Sequence, residues 1–518
     1  MSTDSQASNG AAASDSLLTD DKKILDAQNM DGDNVKRNTT RTQWKQWAAC
    51  ISATLSMVAA GTVYGWTTTT KPQFVNKTKS YASFDVSEDE FSWVISITVI
   101  GSMVGALYGA YVTTSLGRRT CLLMTSIFYI AGWLLVITAQ RVWFLYVSRF
   151  ILGIGVGMSY TANPTYISEV ADVNIRGALS TLTAVNVFAG SLIACSIGPW
   201  FSYQVLNFSL LSIPLLFILT FAWFPETPYF LVNKGRDAQA EKAIGFFKGI
   251  SNQDELQKEL DEVRRNIGDD TDSELKFKLQ DILLLKKVRN LRALCIVMGL
   301  ILGQQMSGNF ATMQYVEDVF PKDNAVINSH VATIIVIAVG LAAGTLSTLT
   351  VEEAGRRRLL LFSSFACAIT LAALGIYMTV SSEGADMKSV NLIPLIDLTI
   401  FQVVYQIGLG TMPNLLIGEL FPTNVKGIAG AIITIFDGLM SFTVTKLFPS
   451  VAQGTMFLIF SGSCFILFIF IYGFIPETKC KTFHEIQEIL GDLRPFRVSE
   501  KQTKCCQAND SNVNRQDA

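Results

Sequence analysis

The chain has 518 residues, of which 50% are hydrophobic and 16% charged, with a mean hydropathy of +0.35. A soluble fold of this size needs more surface charge, so the composition points to a membrane protein. The net charge of −2 gives no basic stripe for nucleic acid, and the nine cysteines, six in apolar runs and three in the C-terminal tail, suggest no disulfide framework.

Residues 1–46 are rich in Ser, Asp, Asn and Thr and lack an apolar run long enough for a signal peptide. A disordered cytosolic N-terminus is expected, with the first span serving as insertion signal. Runs near the ~20 residues needed to cross a ~30 Å hydrocarbon core follow. Six of them, at 47–70, 91–113, 121–139, 143–166, 178–198 and 208–224, make a first bundle over 47–224. Residues 225–289 turn charged, and Leu256, Leu260 and Val263 recur there at helical spacing, which predicts short cytosolic helices in a linker. Six more runs, at 293–316, 330–350, 359–380, 391–417, 428–447 and 454–475, make a second bundle over 290–475, before a cytosolic tail at 476–518. An even count places both termini on one side together with most of the basic clusters, and the positive-inside rule makes that side the cytosol. The opposite side carries the sequon Asn76-Lys77-Thr78, where Asn76 could accept a glycan.

Three charged signatures occur once in each half, in the same order and at nearly constant separation. Gly117-Arg118-Arg119 returns as Gly355-Arg356-Arg357, Glu169 with Arg176 as Glu419 with Lys426, and Pro225-Glu226-Thr227 as Pro476-Glu477-Thr478. Two related halves are implied. Gly153, Gly155 and Gly157 lie inside an apolar helix with no preceding strand, so close helix packing explains them better than a dinucleotide loop. The only histidines, His330 and His484, fall on different sides, so no metal site is expected, and no cofactor.

These signatures, with Gln304-Gln305-Met306-Ser307-Gly308 in the seventh span, resemble the sugar porters of the major facilitator superfamily from about residue 47 to 486. Gly408-Leu409-Gly410-Thr411-Met412-Pro413-Asn414, followed by Gly418-Glu419-Leu420-Phe421-Pro422, looks most like the facilitated trehalose transporter-like branch. The resemblance implies an all-α membrane fold of twelve transmembrane helices in two six-helix bundles. It implies a monomeric plasma-membrane uniporter for trehalose or a related sugar, with the sugar and the bilayer as partners and no enzymatic step. A proton-coupled symporter and a non-transporting nutrient sensor of the same fold are the competing readings.

By the same resemblance, Gln304 and Gln305 bind sugar, since an amide offers both a donor and an acceptor to hydroxyls. Asn309, Gln314, Gln406, Asn414 and Asp437 are candidate polar contacts around them. Arg118, Arg119, Glu169, Arg176, Glu226, Glu352, Arg356, Arg357, Glu419, Lys426 and Glu477 would form a cytosolic gate of ion pairs that separate when the cavity opens inward. The family pattern is broken at Thr114, where Asn or Asp is usual. It is broken again at Ala184, Phe310 and Asn414, and, by longer counts, at Gly340 and Gly438. Loss of two indoles predicts a wider cavity without the usual aromatic stacking face. No carboxylate lies in residues 47–70, where proton-linked members carry one, so downhill uniport is expected, with Asp437 the one deep carboxylate that challenges it.

Overall fold

The computed structural model describes residues 43–74, 84, 86–250, 252–270, 288–320, 327–383, 391–421, 423–478 and 489–490. Side chains at 173, 266–270, 288, 348–354, 414, 418–419 and 423–428 are outside that description. The first half contains α1 (Gln43–Phe74), α2 (Glu88–Ser115), α3 (Arg118–Ile137), α4 (Val142–Val170), α5 (Val173–Ile197) and α6 (Tyr203–Phe221). Three connecting helices follow, α7 (Pro228–Asn233), α8 (Asp237–Lys248) and α9 (Gln253–Asp270). The second half holds α10 (Val288–Met306), α11 (Asn309–Gln314), α12 (Val316–Val319), α13 (Ser329–Ala354) and α14 (Arg356–Ser382), then α15 (Ile393–Ile407), α16 (Met412–Leu420), α17 (Thr423–Leu447) and α18 (Gln453–Phe474).

Among the described residues, eleven helices are long and apolar enough to cross a membrane, and α15 is a shorter apolar helix. The tenth run, 391–417, is therefore interrupted. α15 ends where Gly408 leaves helical geometry at φ −129° and ψ −75°, and α16 resumes at Met412-Pro413. The seventh run breaks as well, because Gly308 takes φ +71° between α10 and α11, a conformation that glycine adopts without penalty.

Local chemistry explains how a Thr-rich segment stays helical. Thr67 and Thr70 of α1 return their hydroxyls to the carbonyls of Tyr64 and Trp66, which satisfies polar groups that lipid cannot. Ser87 and Glu90 form a reciprocal capping box that starts α2. Leu260 and Val263 of α9 are buried, as their spacing predicts.

Glycines set how closely the helices approach. A Cβ on Gly153 would lie 2.2 Å from the Thr98 carbonyl oxygen and one on Gly157 2.0 Å from that of Ser102, so α4 meets α2 backbone to backbone. Large apolar side chains such as Ile466, Leu219 and Phe362 point outward, as a lipid-facing perimeter requires. The two halves meet along α2 against α17 and α5 against α13.

Candidate functional site

A cavity of about 880 Å³ lies between the halves, walled by α1, α2, α4 and α5 on one side and by α10, α11, α13 and α17 on the other. Of the sequence-predicted contacts it gathers Gln305, Asn309, Gln314 and Asp437. Gln304, one residue and about 100° further round α10, is off that wall and meets the Tyr405 side chain of α15 instead. Gln406 is also absent from the lining; it packs beneath Gly410, whose Cβ would sit 2.7 Å from its Oε1. The Asn414 side chain lies outside the described residues.

Gln305 Nε2 donates to Asp437 Oδ1 at 2.6 Å, so the deep carboxylate has a partner on the neighbouring helix that sequence proximity could not show. Ala184, Phe310 and Gly438 all face the cavity. The expected loss of an aromatic wall is corrected, because Tyr64, Tyr160, Phe188 and Phe310 line it. Tyr64 and Phe310 meet edge to face at 5.5 Å, and Tyr160 is 44% exposed into the space. Aromatic surface comes from other helices than the register count assumed. Gly340 is not part of the wall, since the fully buried Gln402 fills the place that a larger residue would take, 2.9 Å from a Cβ there.

One end of the cavity is closed across the two halves. Lys71 at the end of α1 pairs with Asp318 of α12 and lies 4.7 Å from the Tyr315 ring centroid. The Thr67 hydroxyl meets the Gln314 side-chain amide, and Thr68 Oγ1 donates to the Met313 carbonyl at 3.0 Å. Lys446 of α17 reaches Asp89 Oδ1 at 2.7 Å and Ser92 Oγ at 2.6 Å on α2, above the Trp93 ring. Apart from Gln314, none of these residues was marked by pattern. The one available signal is that Lys446 is the sole basic residue in its apolar run.

The opposite face bears the repeated signatures, and its described ion pairs stay within one half. Arg118 grips Glu169 Oε1 through Nη2 at 2.9 Å and Nε at 3.0 Å, and Thr227 donates to Glu169 Oε2 at 2.6 Å. Glu226 does not take a guanidinium, contrary to a simple reading of paired forks. Its Oε1 accepts the backbone N–H groups of Arg118 and Arg119 at 3.0 and 2.9 Å, so it caps the positive end of α3. Glu477 repeats this at the start of α14 with Arg356 and Arg357, at 3.0 and 3.2 Å.

The glycine of each signature admits that carboxylate. Gly117 has φ +113° and a Cβ there would lie 2.3 Å from Glu226 Oε2; Gly355 has φ +87° and a 3.0 Å approach to Glu477. Arg119 Nη2 instead donates to the Ala222 carbonyl at 2.7 Å, and Arg357 Nη2 to that of Tyr472 at 2.8 Å. Arg176 turns to the Ala171 carbonyl rather than to Glu169. The side chains of Glu352, Glu419 and Lys426, and Asn76 as a whole, lie outside the described residues.

The "Sugar (and other) transporter" family model matches residues 49–490. The facilitated trehalose transporter Tret1 of Drosophila pseudoobscura pseudoobscura is 31% identical over 458 residues, 87% of this chain but 52% of that protein. Tret1 of Aedes aegypti is 31% identical over 87% of this chain and 56% of its own length. Tret1 of Culex quinquefasciatus is 30% identical over 86% of each. The chain thus spans about half the length of several curated relatives that it matches. Among solved structures, the proton:xylose symporter XylE bound to 6-bromo-6-deoxy-D-glucose superposes with a TM-score of 0.65 at 20% identity, over 86% of this chain and 100% of that one. The inward-open conformation of the xylose transporter XylE from E. coli gives 0.67 at 21% identity, over 86% and 98%. These likenesses bear on the fold: two related six-helix halves around a central cavity. The chain belongs to the sugar transporter family of the major facilitator superfamily.

Proposed function

We propose that the chain is a facilitative carrier that moves trehalose or a related sugar across the plasma membrane by alternating access, as a monomer and with no covalent step. The observation that carries this reading is the cavity between the halves. Its ~880 Å³ lies within the ~300–1,000 Å³ of small-molecule sites, and its wall combines amides, hydroxyls and aromatic faces, which suit the edges and faces of a sugar ring. The relatives are trehalose transporters, which makes trehalose the first sugar to try.

In this proposal Gln305, Asn309, Gln314 and Asp437 contact the substrate first, while Gln304, Gln406 and Asn414 join as the broken helices move. The signature face is cytosolic, as are both termini. The lysine contacts on the far face hold the outward exit shut, which makes this arrangement the inward-facing end of the cycle. When the halves rock, Arg118, Arg119, Glu169, Arg176, Glu226 and their counterparts Glu352, Arg356, Arg357, Glu419, Lys426 and Glu477 form the inner gate. The bundles are taken as 47–224 and 290–475, bridged by 225–289.

Uniport is favoured because α1 supplies no carboxylate between residues 47 and 70. Arg149, wholly buried in α4, spends its charge on the Val63 carbonyl at 2.8 Å, a weak contact to that of Val94 and the face of Trp66. Asp437 favours proton coupling as the second reading, because an intramembrane carboxylate is costly to keep charged. Radiolabelled trehalose, glucose and fructose uptake in oocytes tests the proposal. Protonophore-insensitive equilibration is expected; surface expression with no uptake of any sugar would favour a sensor, and concentrative, protonophore-sensitive uptake lost in Asp437→Asn would establish symport.

A further inference from the structure

Where the halves meet, α17 turns Lys446, Phe442 and Gly438 toward α2, at four-residue spacing on one helix face. Lys446 holds Asp89 and Ser92, and Phe442 meets Trp93 with ring centroids 6.1 Å apart, so side chains of α17 fill the seam at those two levels. At the third level α2 fills it instead. Gly438 has no side chain, and a Cβ there would lie 2.3 Å from Met103 Cγ and 2.6 Å from Met103 Sδ. The thioether of the first half therefore rests in a notch of the second. Both residues line the cavity, and Met103 is the longest side chain that α2 places on the wall, beside Val99, Ser102 and Ala106.

The notch decides where that side chain rests. Methionine is unbranched and flexible, and it adapts to whatever bounds it. It has no retreat behind α2, because α4 packs there backbone to backbone: a Cβ on Gly157 would lie 2.0 Å from the Ser102 carbonyl oxygen and 2.6 Å from the Ala106 nitrogen. With the notch filled, the open side left to the thioether is the cavity. From this juxtaposition we propose that Met103 is a specificity-determining residue that sets, with Gly438, the length of sugar the carrier accepts. The notch parks the thioether clear of the space that a second sugar ring takes, so a disaccharide fits; a filled notch leaves room for a single ring. The inference rests on reading the cavity as a sugar site.

The full chain is reconstituted in proteoliposomes, and the ratio of trehalose to glucose flux is measured with labelled sugars below saturation. Gly438→Ala should lower that ratio about tenfold, the discrimination that a methyl-sized change of fit gives in a packed site. Met103→Ala should not lower it, and Met103→Ala combined with Gly438→Ala should restore the ratio of the unaltered chain. A merely structural defect lowers both fluxes together and leaves the ratio where it was. An unchanged ratio in Gly438→Ala, or a lowered ratio that persists in the double variant, overturns the inference. Should Gly438→Ala fail to fold, Met103→Phe decides it, because a rigid ring cannot bend into the notch: a lowered ratio supports the assignment and an unchanged one overturns it. Glucose flux without trehalose flux in the unaltered chain would keep the carrier reading and overturn the length assignment. Flux of neither sugar would sink the carrier reading and the inference with it.

Discussion

The two faces of the molecule use charge in opposite ways. On the signature face the described ion pairs and caps tie helices of one half to one another, as Arg118 does with Glu169 and Glu226 with the start of α3. On the far face, Lys71 and Lys446 each cross from one half to the other. Contacts within a half hold a rigid body together, and contacts between halves must break if the bodies rock. The same residue types therefore serve as scaffold on one side and as latch on the other.

The largest effect should come from the scaffold. Gly117→Ala places a side chain at φ +113° and drives it into Glu226, which evicts the cap of two N–H groups. A loss of about 3 kcal/mol is expected, seen as a fall in detergent melting temperature and surface yield. Gly355→Ala, with its 3.0 Å approach to Glu477, should lose less. Equal, small losses would mean that the caps are not what these glycines protect. Next is Arg118→Ala, which leaves the partly buried Glu169 without its cation for about 2 kcal/mol, whereas Arg119→Ala forfeits a carbonyl contact for ~1 kcal/mol. Uptake per surface copy should follow that order, and a reversal would undo the assignment of Arg118 as the gripping residue.

The latches sharpen the comparison from the other side. Lys71 and Asp318 are 12% and 14% exposed, while Asp89 of the Lys446 pair is 79% exposed. Lys71→Met should therefore raise apparent affinity for sugar offered at the far face by about fivefold. Lys446→Met should change it by less than about threefold and only at low salt. Zero-trans influx at two ionic strengths measures both, and a larger effect at Lys446 would contradict the burial argument. Smallest is Gln305→Ala, which costs ~0.5–1.5 kcal/mol, a 2- to 12-fold rise in the half-saturating sugar concentration. Gln304→Ala, off the wall, should cost less.

Much of this was legible in the sequence because a bilayer allows few solutions. Long apolar runs must be helices, and charged turns must lie at their ends. The breaks at Gly308 and Gly408 were likewise readable as weak points, since the Ser-Gly and Gly-x-Gly spellings mark where a helix yields. Partners remote in sequence were not. Nothing in Pro225-Glu226-Thr227 says that the carboxylate reaches back to cap the helix after Gly117, and nothing in α17 says that Asp437 meets Gln305. Lys71 and Lys446 act only through residues of the other half, so they become visible once both halves are placed.

The central claim is that this one cavity is exposed alternately by opening the far-face contacts. Thr68→Cys and Met313→Cys, introduced with Cys295, Cys480, Cys505 and Cys506 replaced, put a thiol in each half where Thr68 now meets the Met313 carbonyl. Sugar uptake is measured before and after treatment with a short, cleavable bifunctional thiol reagent. The account predicts that each single variant transports, that the doubly substituted chain stops when cross-linked, and that cleaving the linker restores flux. Unchanged uptake in a fully cross-linked chain would contradict it.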